Sequence, residues 1–256
     1  MFKYNLNPKK YLLTTCVSLC TLASSNIFAL AELNPTSIYN FFNNNFSLSG
    51  NGTLTSNYVW RGVSQTNDLP AAQAEIKLNT VPGFYLGMWG SNVHFFDTRF
   101  RPATVELDTF GGYAGSYQEF KYYAEALHYN YSGTDDLNYM QYTVGAAFRM
   151  VHGSFTYAPR QFDTRTKGFY YTGGVTLPLH DLNSPLLRDM SLNGDVGYFQ
   201  FNGGLFHNLD YFDYKISLNK KINRFDLNLA WTATNNKFRA RHLDDHKIIA
   251  SVGVTV

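Results

Sequence analysis

The stretch Phe225-Asp226-Leu227-Asn228-Leu229-Ala230-Trp231-Thr232-Ala233-Thr234 alternates apolar and polar side chains, so an extended chain would have one apolar and one polar face. The pattern recurs in about ten to twelve segments after residue 45, each near the roughly 9 to 11 residues that a tilted strand needs to cross a bilayer. No stretch after residue 31 approaches the roughly 18 consecutive apolar residues of a spanning helix. The sequence therefore predicts an all-β fold, an antiparallel transmembrane β-barrel, because only a closed barrel pairs every strand backbone group in lipid.

Alternation with turn signals between the segments predicts twelve strands. These are 47–63, 71–80, 84–93, 104–115, 120–131, 138–150, 154–159, 168–178, 190–200, 211–220, 225–235 and 247–256. The connectors after strands two, four, six and ten are short, whereas most of the others are longer. This is typical of a bacterial barrel with both termini on the periplasmic side. The connector 179–189 is long although it would be periplasmic, so the strand count is open by one hairpin.

The first 31 residues have the features of an export signal. Lys3, Lys9 and Lys10 precede an apolar stretch, and Ala29-Leu30-Ala31 has the small-x-small pattern that a signal peptidase cuts. A membrane anchor is the alternative, but the apolar stretch is short and interrupted by threonines and serines. We expect cleavage after Ala31, a short Asn-rich periplasmic segment over 32–46, and a barrel over 47–256 in the outer membrane of a Gram-negative bacterium.

Composition excludes several classes of function. Both cysteines, Cys16 and Cys20, lie inside the predicted signal, so the mature chain can hold no disulfide and no thiolate metal site. Without the three lysines of the signal, 18 of the 21 basic residues remain against 19 acidic residues, a formal net charge of −1. This balance gives no global electrostatic support for nucleic-acid binding.

The polar face of each strand is predicted to line the lumen, because a charge on the lipid face near the bilayer midplane is costly. The predicted lining residues are Arg61, Glu75, Lys77, Glu106, Asp108, Lys121, Glu125, Arg149, Asp195, Asp213, Lys215 and Asp226. Such a set could line a hydrophilic pore, or it could form a salt-bridge network that fills a narrow barrel. Twelve strands lie between the roughly eight that fill their interior and the roughly sixteen that leave a channel.

The predicted outer loops carry a basic cluster. Its members are Arg99, Arg101, Arg160, Arg165, Lys167, Lys237, Arg239 and Arg241. A positive mouth could attract anionic solutes or bind the phosphates of lipopolysaccharide. A solvated loop surface is the alternative, since nearby aspartates dilute the charge.

No chemical site is predicted. The run His242 to His246 would suit a metal only if it were helical, and it falls in a predicted loop. His152-Gly153-Ser154 has the spacing that some outer-membrane lipid hydrolases use, but it falls at a predicted periplasmic turn. We therefore expect no enzyme, no catalytic residue, no metal and no cofactor. A membrane lipid hydrolase is the least favoured alternative.

Several motifs occur between residues 47 and 115. They are Ser56-Asn57-Tyr58-Val59-Trp60-Arg61-Gly62-Val63-Ser64-Gln65-Thr66, Pro70-Ala71-Ala72-Gln73, Gly83-Phe84-Tyr85-Leu86-Gly87-Met88-Trp89-Gly90-Ser91-Asn92-Val93, Glu106-Leu107-Asp108 and Gly111-Gly112-Tyr113. Together they resemble the TorF family of porin-like outer-membrane proteins, which is conserved in proteobacteria and has no established function. The resemblance implies a porin-like barrel and supplies no substrate. The family's motif positions are occupied here by Trp60, Arg61, Trp89, Glu106 and Asp108.

The sequence therefore predicts a passive pore for small hydrophilic solutes with a charged lumen. The alternative is a closed structural or surface-interaction barrel that binds lipopolysaccharide or a partner through its basic outer loops. The expected partners are outer-membrane lipid, lipopolysaccharide, the barrel-assembly machinery during insertion and small hydrophilic solutes, with no nucleic acid.

Overall fold

A computed structural model describes residues 45–95, 102–133, 137–163, 165–179, 184, 187–206, 209–235 and 246–256. The predicted export signal and nearly all of the predicted segment 32–46 lie outside these ranges. So do five members of the basic cluster: Arg99, Arg101, Lys237, Arg239 and Arg241. Among the described residues, no helix is long and apolar enough to span a membrane.

Twelve strands form a closed antiparallel barrel in which each strand pairs with its neighbours along the chain. They are β1 (Phe46–Thr55), β4 (Ala71–Thr80), β5 (Phe84–Phe95), β6 (Ala103–Tyr117), β7 (Phe120–Tyr129), β8 (Tyr139–Phe148), β9 (Val151–Ala158), β10 (Lys167–Pro178), β11 (Met190–Asn202), β12 (Tyr211–Ile222), β13 (Phe225–Thr234) and β14 (Lys247–Thr255). β2 (Val59–Trp60) and β3 (Val63–Ser64) form a separate hairpin. The predicted fold class is confirmed.

The barrel closes where β1 pairs with β14, from Asn51↔Thr255 to Thr55↔Ser251. Both chain ends of the barrel therefore lie at one end, which we call the terminus end; the opposite end is the rim. Because strand direction alternates, the connector 179–189 lies at the terminus end. The structure thus contains a long connector at this end, and the predicted number of twelve strands is confirmed.

The alternation of side chains along each strand explains the two surfaces of the barrel wall. Ile216 and Leu229 point outward and are 52% and 54% exposed, whereas Ser217 and Ala230 beside them point inward and are buried. Because successive side chains of a strand point to opposite faces, residues two apart share one surface of the sheet. The barrel thus has an apolar outer surface, and most of its charged strand residues face the interior.

Two predicted strand boundaries differ from the structure by three residues or more. β1 ends at Thr55, because residues 56–70 turn away from the wall. β9 starts at Val151, so the short turn consists of Arg149 and Met150 instead of the predicted 151–153. Arg149 has a positive φ of 54°, and its exposed side chain donates a hydrogen bond to Glu119 at 2.8 Å. The prediction that Arg149 lines the lumen is therefore wrong.

Candidate functional site

Residues 56–70, which we call the lumen hairpin, leave the wall after β1 and cross the interior before β4 begins. The tip consists of Arg61 and Gly62, both with positive φ, at 47° and 78°. A Cβ atom added to Gly62 would lie 2.9 Å from the Cβ atoms of Asp213 and Thr234. The tip therefore reaches the wall at β12 and β13, and glycine is needed there for both its backbone conformation and its small size.

A polar network holds the base of the lumen hairpin. The Asn57 Oδ1 atom accepts hydrogen bonds from Ser64 Oγ at 2.7 Å and Thr66 Oγ1 at 3.1 Å. Asn57 Nδ2 donates to Asp68 Oδ1 at 2.7 Å, and Lys247 of β14 pairs with the same carboxylate at 2.9 Å. These side chains satisfy one another's hydrogen bonds at the rim. The hairpin therefore enters the barrel in one fixed direction.

Arg61 anchors the tip. Its Cζ atom lies 4.1 to 4.5 Å from the centroids of three rings, those of Trp60, Tyr170 and Phe199. Its Nη2 donates to Gln141 Oε1 at 2.9 Å, and its carbonyl accepts a hydrogen bond from Tyr211 at 3.1 Å. A guanidinium over an aromatic face gains about 0.5 to 2 kcal/mol, with the larger values where water is excluded. Arg61 thus connects the hairpin to β8, β10 and β11 through its side chain and to β12 through its carbonyl.

Aromatic side chains fill the rim half of the lumen around Trp60. Its indole Nε1 donates to the Tyr129 hydroxyl at 3.2 Å, and its ring makes edge contacts with Tyr129, Phe162 and Phe199 at centroid distances of 5.9 to 6.3 Å. Tyr129 in turn stacks on Tyr139 at 4.4 Å. The lumen hairpin and these rings together constrict the barrel at the rim half.

The terminus half of the lumen is polar and carries ion pairs. Lys77 pairs with Glu75 at 3.2 Å, and Lys221 pairs with Asp226 at 3.1 Å. Lys215 points inward with the parity of Ser217 yet is exposed. Lys121 also takes an inward position on β7, with the parity of Glu125. This half therefore has charges of both signs on its inner face, and Lys215 is exposed there.

A histidine and an aspartate meet on this inner surface. His152 Nε2 lies 2.7 Å from Asp195 Oδ1, across Gly174, which pairs with both residues and leaves the space that a side chain would fill. Ser154 Oγ lies 2.6 Å from Thr172 Oγ1, so the hydroxyl of the His-x-Ser spacing bonds to a threonine. The pair lies near the terminus end, far from the rim where a hydrolase of outer-leaflet lipid would act.

Three carboxylates lie deeper in the wall. Glu106, Asp108 and Glu125 are only 1%, 4% and 5% exposed. The Tyr131 hydroxyl donates to Glu106 at 3.1 Å, and the Tyr85 hydroxyl donates to Glu125 at 3.0 Å. These predicted lining residues point inward, but the neighbouring rings cover them. Desolvation, and then the charge of Glu106, raises the pKa of Tyr58 in the lumen hairpin well above its usual value, so its hydroxyl stays protonated.

The structure brings most of the predicted lining residues to the inner face. Arg61 lies in the lumen on the hairpin instead of on a strand. The motif residues Trp60 and Arg61 are adjacent at the tip, and Trp89 makes an edge contact with Tyr58 at 5.4 Å. In the described part of the basic cluster, Arg160, Arg165 and Lys167 are exposed near the rim. No group of three possible metal ligands occurs among the described residues.

Sequence analysis missed the aromatic part of the interior. The missed residues are Tyr129, Tyr139, Phe162, Tyr170, Phe199 and Tyr211. Strand parity could have found several of them, because Tyr129 shares the inward parity of Glu125, and Phe199 that of Asp195. The lining residues predicted above are all charged, because aromatic residues are typical of the two membrane interfaces of a barrel.

The family model for bacterial proteins of unknown function named Gcw_chp matches residues 42–255. No curated protein matches the chain. Among solved structures, the chain is similar to the KdgM porin, with 11% identity, a TM-score of 0.49, and coverage of 81% of this chain and 97% of that chain. It is also similar to the NanC porin, with 10% identity, a TM-score of 0.47, and coverage of 81% and 98%. A third is the DcaP channel of Acinetobacter baumannii, with 12% identity, a TM-score of 0.39, and coverage of 83% and 72%. The resemblance to the TorF family stays a prediction.

Proposed function

We propose that this chain, which belongs to the Gcw_chp family of bacterial proteins of unknown function, forms a constricted pore for small hydrophilic solutes in the outer membrane of a Gram-negative bacterium. One observation carries the proposal: a closed barrel with an apolar outer surface and charged inner positions is crossed by a hairpin that narrows the lumen without being part of the wall. In this proposal the wall provides the passage, and the lumen hairpin sets its width.

The outer surface supports the membrane location. Large apolar side chains project outward from every part of the barrel, for example Leu54, Leu86, Val144 and Ile248, which are 53% to 74% exposed. A soluble monomer rarely exposes a contiguous apolar patch larger than a few hundred Å². In an outer-membrane barrel this surface is the lipid-facing band, and its exposure costs nothing because lipid covers it.

The inner surface supports the passage of hydrophilic solutes. Charged side chains of both signs face the terminus half of the lumen, and Lys215 is accessible there. Charges with water around them offer a permeating solute an environment close to that of bulk solution. A closed, fully packed interior would bury its charged side chains in ion pairs, as Glu75 and Lys77 are paired here.

A second candidate function follows from the aromatic rings of the rim half. If these rings and the lumen hairpin close the lumen to water, the protein is a structural or surface-interaction barrel. The exposed Arg160, Arg165 and Lys167 would then bind phosphates of lipopolysaccharide at the rim. Conductance separates the two candidates, because a closed barrel gives no discrete current steps.

We predict that the mature protein begins at Glu32 and fractionates with the outer membrane. N-terminal sequencing of the protein from a fractionated envelope tests the first part, and salt washing of the membranes tests the second. A barrel whose strands are all paired resists SDS until it is boiled, so heating should change its gel mobility. Recovery in the soluble periplasmic fraction, or identical mobility before and after heating, would contradict the prediction.

We predict that Lys215→Glu shifts ion selectivity toward cations. Lys215 lies on the accessible inner surface, and a passing ion comes within roughly a Debye length, about 8 Å, of its ammonium group. The measurement is the reversal potential of single channels in planar bilayers under a KCl gradient. Arg149→Glu is the matched control, because it makes the same charge change at an exposed turn outside the lumen.

The outcomes of this experiment are decisive. A shift for Lys215→Glu with little change for the control supports the pore. Equal shifts for both variants would contradict the luminal position of Lys215. Absence of current steps from the folded parent protein would reject the pore and leave the closed barrel.

A further inference from the structure

Two carboxylates of β6 lack charge compensation. Glu106 and Asp108 occupy successive inward positions, and both are almost fully buried. Among the described residues, neither forms an ion pair. Glu106 Oε2 and Asp108 Oδ1 have no hydrogen-bond partner. Burying a charge without a partner is costly, so two such carboxylates at successive inward positions of one strand suit a cationic group.

Lys77 and Arg61, two basic side chains of the lumen, contact other groups. Lys77 pairs with Glu75 at 3.2 Å and lies over the ring of Tyr85, whose hydroxyl bonds Glu125. Arg61 is held by aromatic rings and by Gln141 at 2.9 Å. The carboxylate pair on β6 therefore has no basic partner among the described residues; Glu125 also has one oxygen, Oε1, without a hydrogen-bond partner.

The surroundings of the pair favour one class of cation. Asp108 lies directly across from Trp89 on β5, and Trp89 contacts the ring of Tyr58 in the lumen hairpin at 5.4 Å. Aromatic faces attract cations. A primary ammonium group has three N–H donors, whereas calcium needs six to eight oxygen ligands. Two free carboxylate oxygens beside two rings therefore fit an ammonium group better than a metal ion.

We propose that Glu106 and Asp108, with the rings of Tyr58 and Trp89, form a binding site for an ammonium group, supplied by the free ammonium ion or by a solute with a primary amine. The site lies beneath the lumen hairpin, so an occupant would be held at the constriction. As a determinant of which solutes pass, the site rests on the proposed pore function; as a binding site, it does not.

The test is titration calorimetry of the folded, detergent-solubilised protein with methylammonium chloride at constant ionic strength. We expect saturable binding to the parent protein. The near-isosteric double variant Glu106→Gln with Asp108→Asn should weaken it at least about 30-fold, since truncating one partner of a buried charge pair costs about 2 kcal/mol or more. Glu119→Gln is the matched control, because it removes an exposed carboxylate at the terminus end and should leave binding unchanged.

Further titrations identify the source of the ammonium group. Binding of ammonium chloride alone indicates the free ion, and binding of methylammonium as well indicates that a solute amine is accepted; both results support the site. Tetramethylammonium has no N–H donor and should bind far more weakly. Equal binding of tetramethylammonium, equal binding by the double variant, or no saturable binding to the parent would overturn the proposal. Discrete current steps without ammonium binding would reject this site and support the pore. Ammonium binding without current steps would support the site and reject the pore.

Discussion

Replacing both Trp60 and Arg61 by alanine is expected to raise single-channel conductance several-fold over that of the parent protein. The double variant removes three aromatic ring pairs of Trp60, each worth about 0.5 to 1.5 kcal/mol, and the guanidinium that connects the tip to the opposite wall. Together these contacts stabilise the docked position of the lumen hairpin by a free energy on the order of several kcal/mol. The constricted form is therefore expected to dominate in the parent. Conductance in planar bilayers at high salt measures the change.

A second variant and a control keep this prediction specific. Gly62→Val leaves both anchors in place but brings a side chain against Asp213 and Thr234, where even a Cβ atom would be too close. It should also widen the pore. Leu69→Ala changes an exposed side chain of the same hairpin and should leave conductance unaltered. Unchanged conductance in both tip variants, with gel mobility still sensitive to heating, would show that the hairpin does not set the width.

Leu229→Arg is expected to destabilise the barrel by about 2 to 4 kcal/mol, because it places a charge on the lipid face near the middle of β13. Asn228→Arg on the same strand points into the lumen. It should cost about 1 kcal/mol, mainly for the hydrogen bond that Asn228 donates to Asn219 at 2.6 Å. Urea unfolding of the protein in lipid vesicles gives both free energies. Equal losses would contradict the assignment of the two faces of β13.

The wall of the barrel could be predicted because its determinants are local. In β12 from Phe212 to Asn219, and in β13 from Phe225 to Leu229, apolar and polar residues alternate, so one residue and its neighbours suffice to assign a face. The predicted strand 225–235 differs from β13 by a single residue at its end. The same parity that places Asp213 inward also places Tyr211 and Phe199 inward, so the aromatic interior was within reach of the sequence.

The lumen hairpin could not be predicted in the same way. Tyr58, Val59 and Trp60 are residue types that favour strands, so the segment resembles a continuation of β1 until Gly62. Its inward fold depends on Gln141 and Tyr211, which are 80 and 150 residues from Arg61 in the chain. No local pattern contains information about such partners. Likewise, the unpaired oxygens of Glu106 and Asp108 become evident only when all surrounding side chains are placed.

These long separations in the chain also determine when the lumen hairpin can dock. Trp60 bonds a tyrosine 69 residues later, and Arg61 accepts a bond from a residue of β12. Contacts of such high sequence separation form late, after the intervening loops have been closed. Until β8 and β12 are in place, Arg61 at the tip of the hairpin has no wall to bind. Docking of residues 56–70 on the opposite wall is therefore a late step of folding, as is the pairing of β1 with β14, which also joins residues far apart in the chain.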